Sequence, residues 1–114
     1  MKKLTLLGAV LLALTSFSVV SEEHADAALK HTQMAVEHGK AGHGSVMNQH
    51  ASEALTHAQK AAEMASGESK THMDAAVKSL ESAVEHSKME GSEHVDAATK
   101  AAIEAEEHLK AGAH

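Results

Sequence analysis

Apolar and polar positions follow two regimes along this chain. Leu4 to Val20 form a nearly unbroken apolar run behind Lys2 and Lys3. From Glu22 onward the apolar residues recur at helical spacing. The clearest stretch puts Met73, Ala76, Val77, Leu80, Ala83 and Val84 on one helix face, with Asp74, Lys78, Glu81 and Glu85 opposite. Such stretches are separated by Gly39, Gly42 and Gly44, by Ser66 and Gly67, and by Gly91 and Ser92. Between the breaks the residues are mostly Ala, Glu, Lys, Leu and Met, the strong helix formers. The pattern predicts helices near 23–39, 45–66, 71–89 and 93–111. Thr71, with Asp74 three residues on, reads as an N-cap pair, and Ser92 as another cap.

The helices read as copies of one unit. His24-Ala-Asp-Ala-Ala-Leu-Lys30 matches His72-Met-Asp-Ala-Ala-Val-Lys78 and His94-Val-Asp-Ala-Ala-Thr-Lys100. Ala35-Val-Glu-His38 matches Ala83-Val-Glu-His86, and the segment from His43 is a more divergent copy. Short breaks between amphipathic helices predict an all-α fold, an up-and-down antiparallel four-helix bundle made of two hairpins.

The first regime is a targeting signal. A basic start, an apolar run and the small Ser21 with Val19 two before it predict a cleavable signal peptide over residues 1–21. The mature domain is then 22–114 and exported. It has no Cys, so neither disulfides nor thiolate metal sites are available. The one Phe, Phe17, lies in the signal, and Trp, Tyr and Pro are absent. About fifteen apolar residues larger than Ala remain to build a core, so a small domain of marginal stability is expected.

Charge narrows the partners. All sixteen Asp and Glu lie in the mature domain against eight Lys and no Arg. This excess argues against nucleic acid, and against membrane surfaces once the signal is removed, and it suits cations. The chain is expected to be a monomer; the sequence names no protein partner.

Histidine supplies the candidate chemistry. Ten of eleven histidines follow a seven-residue rule: His24, His31, His38; His43, His50, His57; His72, His86; and His94, His108, with Ser79 and Ala101 in the empty slots. Seven residues are two helical turns, so each run is one stripe beside the apolar face. Helicity alone does not call for His, a mediocre helix former, whereas neutral imidazole is the commonest protein metal ligand. All ten are therefore candidate metal ligands. Within a stripe they stand about 10.5 Å apart, too far for one ion with bonds of about 2 Å. Partners must come from another helix. Antiparallel hairpins would set His38 against His43, His31 against His50, His24 against His57, His86 against His94, and His72 against His108. Met34, Met47, Glu53, Glu90 and Glu104 lie three or four residues from a His and are secondary ligands at most.

Imidazole with carboxylate suits Cu(II), Zn(II) and Ni(II), and the Irving–Williams order favours copper. Several ions per chain, held by half-exposed sites, describe a buffer or scavenger. No enzyme is expected. Glu-Xaa-Xaa-His, His-Glu-Xaa-Xaa-His and Cys-Xaa-Xaa-Cys-His are absent, which removes the signatures of di-iron, zinc-protease and haem sites. The alternative is a pH-responsive helical bundle whose histidines charge together near pH 6 without a metal role.

The His-Xaa-Asp-Ala-Ala-Xaa-Lys starts, the Ala-Val-Glu-His continuations and the Gly-Lys-Ala-Gly-His43 turn resemble the small metal-binding protein family over essentially the whole mature chain. The resemblance implies a periplasmic, Cys-free helical bundle that binds several divalent ions, copper prominently, in copper tolerance or trafficking. Its His heptads match the ten positions above. Ser79, Ala101 and Met64 depart from a full heptad, which lowers the expected capacity, chiefly of the C-terminal hairpin.

Overall fold

A computed structural model describes residues 19–113. The expected signal peptide lies outside the described residues except for its last three, which open the first helix. Four helices follow: α1 Val19–Lys40, α2 Gly44–Met64, α3 Gly67–Ser87 and α4 Ser92–Gly112. Each packs on its chain neighbours, α4 closes back on α1, and α1 and α3 face each other diagonally across the core. Every adjacent pair is antiparallel, so the chain is an up-and-down four-helix bundle of two hairpins, as the apolar pattern predicts. No helix among the described residues is long and apolar enough to cross a membrane.

Alanine dominates the interior. Among the described residues, fifteen of the twenty buried apolar residues are Ala, and only Met47, Met73, Leu80 and Leu109 are large and fully buried. The core has two parts. One joins Ala25, Ala28, Ala54, Ala58 and Ala61 to Met73, Leu80 and Leu109. The other gathers Ala35, Val36, Met47 and Ala51 against Ala83, Ala98 and Ala102. Small side chains let helix axes come close. At Gly39 a Cβ would collide with Thr99 Oγ1 and lie 2.9 Å from Met47 Sδ. Gly39 therefore does not break α1 as expected from sequence; it sits inside the helix and admits α4. Gly42, at φ +80°, makes the turn.

Buried hydroxyls are satisfied locally. Thr32 Oγ1 donates to Ala28 O at 2.7 Å, and Thr99 Oγ1 donates to Val95 O at 2.7 Å. Between α2 and α3, Asn48 Nδ2 donates to Val84 O at 3.1 Å and to Ser87 Oγ at 2.9 Å. Between α1 and α4, Gln33 Nε2 donates to Glu106 at 3.3 Å, and Lys110 Nζ lies 3.0 Å from the same carboxylate. The Lys110 hydrogen bond, with that from Gln33, holds the Glu106 carboxyl below its usual range. Ser21, at the start of α1, is buried and donates to Ala61 O at 3.3 Å.

Two caps differ from expectation. The third helix starts at Gly67, a turn before Thr71, with Ser66 extended at the cap position. Thr71 instead lies inside the helix and donates to Gly67 O at 3.4 Å, while Asp74 lies 3.6 Å from Lys70. Local hydroxyl-to-carbonyl bonding is the competing role that Thr has within helices. Ser92 is the first residue of α4, and Gly91, at φ +111°, occupies the cap position.

Candidate metal centre

The heptad places each His on the shoulder of its helix, one residue before the core positions. Nine of the ten are half-buried; His43, at the cap of α2, is exposed. The helices close in sequence order, so the α1–α2 and α3–α4 seams lie on opposite sides of the bundle. All ten histidines lie on these two seams.

All five pairs expected from the hairpin register are found. Ring centroids are 5.3 Å apart for His24 and His57, 5.6 Å for His31 and His50, and 5.8 Å for His38 and His43. On the other seam they are 5.8 Å for His86 and His94 and 6.2 Å for His72 and His108. In two rungs the nitrogens already face each other. His24 Nδ1 lies 3.0 Å from His57 Nδ1, and His31 Nδ1 lies 3.4 Å from His50 Nδ1. Two nitrogens bound at about 2.0–2.1 Å to one ion stand about 2.9 Å apart at a right angle and about 3.4 Å apart at the tetrahedral angle. The rungs therefore have the bite of a chelate. In the metal-free chain one neutral ring of each such rung donates its N–H to the other.

The central rung has a third member. Glu53 Oε2 lies 3.4 Å from His31 Nε2 across the seam, and His31, His50 and Glu53 each have one potential ligand atom within 4.8 Å of the others'. A carboxylate at that distance favours the tautomer with its proton on Nε2, which leaves Nδ1 toward His50 as an acceptor. This is the usual outer-shell support of a metal-binding His. Sequence spacing associates Glu53 only with His50 and His57 of its own helix. Its partnership with His31 follows from the hairpin register, which brings Glu53 one turn beyond the residue opposite it.

Sequence reasoning also missed the diagonals. His31 stacks on His57 at 6.0 Å with planes 3° apart, and His38 stacks on His50 at 5.5 Å with planes 5° apart. Helical side chains lean toward their own N-terminus. In an antiparallel pair, His31 and His57 lean toward each other, as do His38 and His50. On the other seam His108 leans toward the slot of Ser79 and Ala101, where no ring stands. Ser79, Ala101, Ser82 and Ala97 line a shallow groove there.

Burial, then the charges of His24, His31 and Lys60, lower the pKa of His57; Glu53 opposes them weakly. His57 therefore stays neutral, and able to ligate, to lower pH than an ordinary imidazole. His86 Nδ1 is buried and has no hydrogen-bond partner among the described residues. An orphaned buried nitrogen of this kind is costly unless something satisfies it.

The secondary candidates separate. Glu53 joins the site. Met47 is fully buried in the core, where its Sδ lies 3.9 Å from Thr99 Oγ1, and cannot reach an ion on the seam. Met34 is exposed. Glu90 falls in the turn after α3, so its four-residue spacing from His86 is not helical spacing. Glu104 is exposed and lines the ring-free groove.

The sequence matches the family model described as small metal-binding protein over residues 1–112. No curated protein matches it.

Proposed function

The chain belongs to the small metal-binding protein family, and from that premise we propose that it holds several transition-metal ions on its two histidine seams as a periplasmic metal buffer, scavenger or chaperone. Copper is the favoured ion, with zinc and nickel also accommodated. The observation that carries this reading is the pair of facing nitrogens in the rungs His24–His57 and His31–His50, at 3.0 and 3.4 Å. Those separations suit tetragonal and tetrahedral ions alike, and imidazole affinity for divalent ions peaks at copper. The half-buried rings leave one side of each rung open to an incoming ion. Export is supported by the apolar run Leu4 to Val20 behind two lysines.

Calorimetric titration of the metal-free chain with Cu(II), then Zn(II) and Ni(II), tests the reading. At pH about 7.5 several tight Cu(II) equivalents are expected, weakening at pH about 5.5 as imidazoles take up protons. Weak, unsaturable uptake of all three ions would exclude it.

A further inference from the structure

We infer that the N-terminal seam is one continuous track of overlapping ion sites, along which a bound ion moves between the two ends of the hairpin without leaving the protein. The inference rests on the proposed metal binding and adds to it a mode of transport within the molecule.

The carrying observation is that the diagonals are nearly as close as the rungs. Rungs have centroid separations of 5.3 to 5.8 Å, and the diagonals between them 6.0 and 5.5 Å. The six rings thus form a single zigzag: His24, His57, His31, His50, His38, His43. Each of the four interior rings belongs to two adjacent pairs. An ion held by His24 and His57 reaches the next pair by gaining a nitrogen of His31 and releasing His24. The same exchange carries it onward to His50, His38 and His43. Each transfer forms one metal–nitrogen bond and breaks one, the oxidation state is unchanged, and the ion always keeps a protein ligand. The near-parallel diagonal rings are half-buried, so each transfer needs only rotation about side-chain torsions and no movement of the helices.

The ends of the track differ. His24 is half-buried, whereas His43 is exposed at the turn before α2. His43 is therefore the ring at which an external chelator most readily replaces a protein ligand, by the same one-bond exchange. The C-terminal seam has no such track. His72 and His108 are separated from His86 and His94 by fourteen residues, about 21 Å of helix, with only Ser79 and Ala101 between. Its ions stay where they bind. With all three N-terminal rungs filled, every ring is engaged and migration stops.

The test uses the whole chain with labelled histidines and Zn(II) below one equivalent, followed by the ring nitrogen resonances. The six N-terminal rings should share one exchange process whose rate does not change on dilution, while the two C-terminal rungs exchange independently. In a chain carrying His31→Gln and His50→Gln, chosen to retain side-chain bulk, the end rungs should still bind. Exchange between them should slow roughly tenfold or more and become dependent on concentration. His31→Ala with His50→Ala should behave alike. Bound zinc giving separate, static sets of rings, or exchange that ignores the double substitution, would overturn the track and leave metal binding standing. Absence of any ring shift would overturn both.

Discussion

The α1–α2 hairpin carries six of the ten seam histidines but only one large, fully buried apolar side chain, Met47. The α3–α4 hairpin carries four histidines and the other three such side chains, Met73, Leu80 and Leu109. Each hairpin also buries two hydroxyl residues, Ser21 and Thr32 in the first and Ser87 and Thr99 in the second. Complete burial of one Leu or Met stabilises by about 1.5–3 kcal/mol. An ion at a hundred times its Kd stabilises by about 2.7 kcal/mol. The two contributions are of similar size, so ligation can substitute for apolar bulk. The hairpin with fewer large core side chains has more sites, and metal should tighten it most.

The largest effect is expected at the large core side chains of the α3–α4 hairpin. Leu80→Ala should lower the stability of the metal-free chain by about 2–5 kcal/mol, read by denaturant unfolding. Saturation with Cu(II) should restore much of it. A loss that metal leaves untouched would show that ligation and packing are not exchangeable here.

A smaller effect distinguishes the seams by their carboxylates. Glu53→Gln should weaken the His31–His50 rung by about 10–100-fold, the usual consequence of losing an outer-shell partner. Glu104→Gln, on the seam without a central rung, should change nothing measurable by calorimetry. Equal effects would remove the asymmetry between the hairpins.

The smallest concerns protons. Folded His57 resists protonation, whereas unfolded His57 accepts a proton near its ordinary value of about 6.5. The metal-free chain should therefore keep this contribution above that pH and lose stability as pH falls below it, down to the folded value. Thermal melts across that window should show the loss, and His57→Gln should flatten it.

Much of this was legible because it depends on period alone. The spacing of Met73, Ala76, Leu80 and Ala83 requires a helix with that face buried, and the His heptad must then form a stripe beside it. Short glycine breaks make neighbouring helices antiparallel, which pairs His24 with His57 and His72 with His108. Other features were not legible because they depend on contacts between helices. Gly39 looks like a breaker until α4 is seen pressing on it, and Met47 looks like a ligand until it is seen in the core. Thr71 carries a cap signature, yet Ser66 and Gly67 start the helix a turn earlier.

The sequence by itself determined the helices, their apolar faces, the stripes and the register of each hairpin, since all of these follow from residue spacing and turn length. Only the tertiary structure decided that the two seams lie on opposite sides of the bundle, that Glu53 reaches His31, and that diagonal rings close the gaps between rungs. Those outcomes depend on how four helices close into a ring and on the opposite lean of side chains in antiparallel neighbours. No one-dimensional period carries that information.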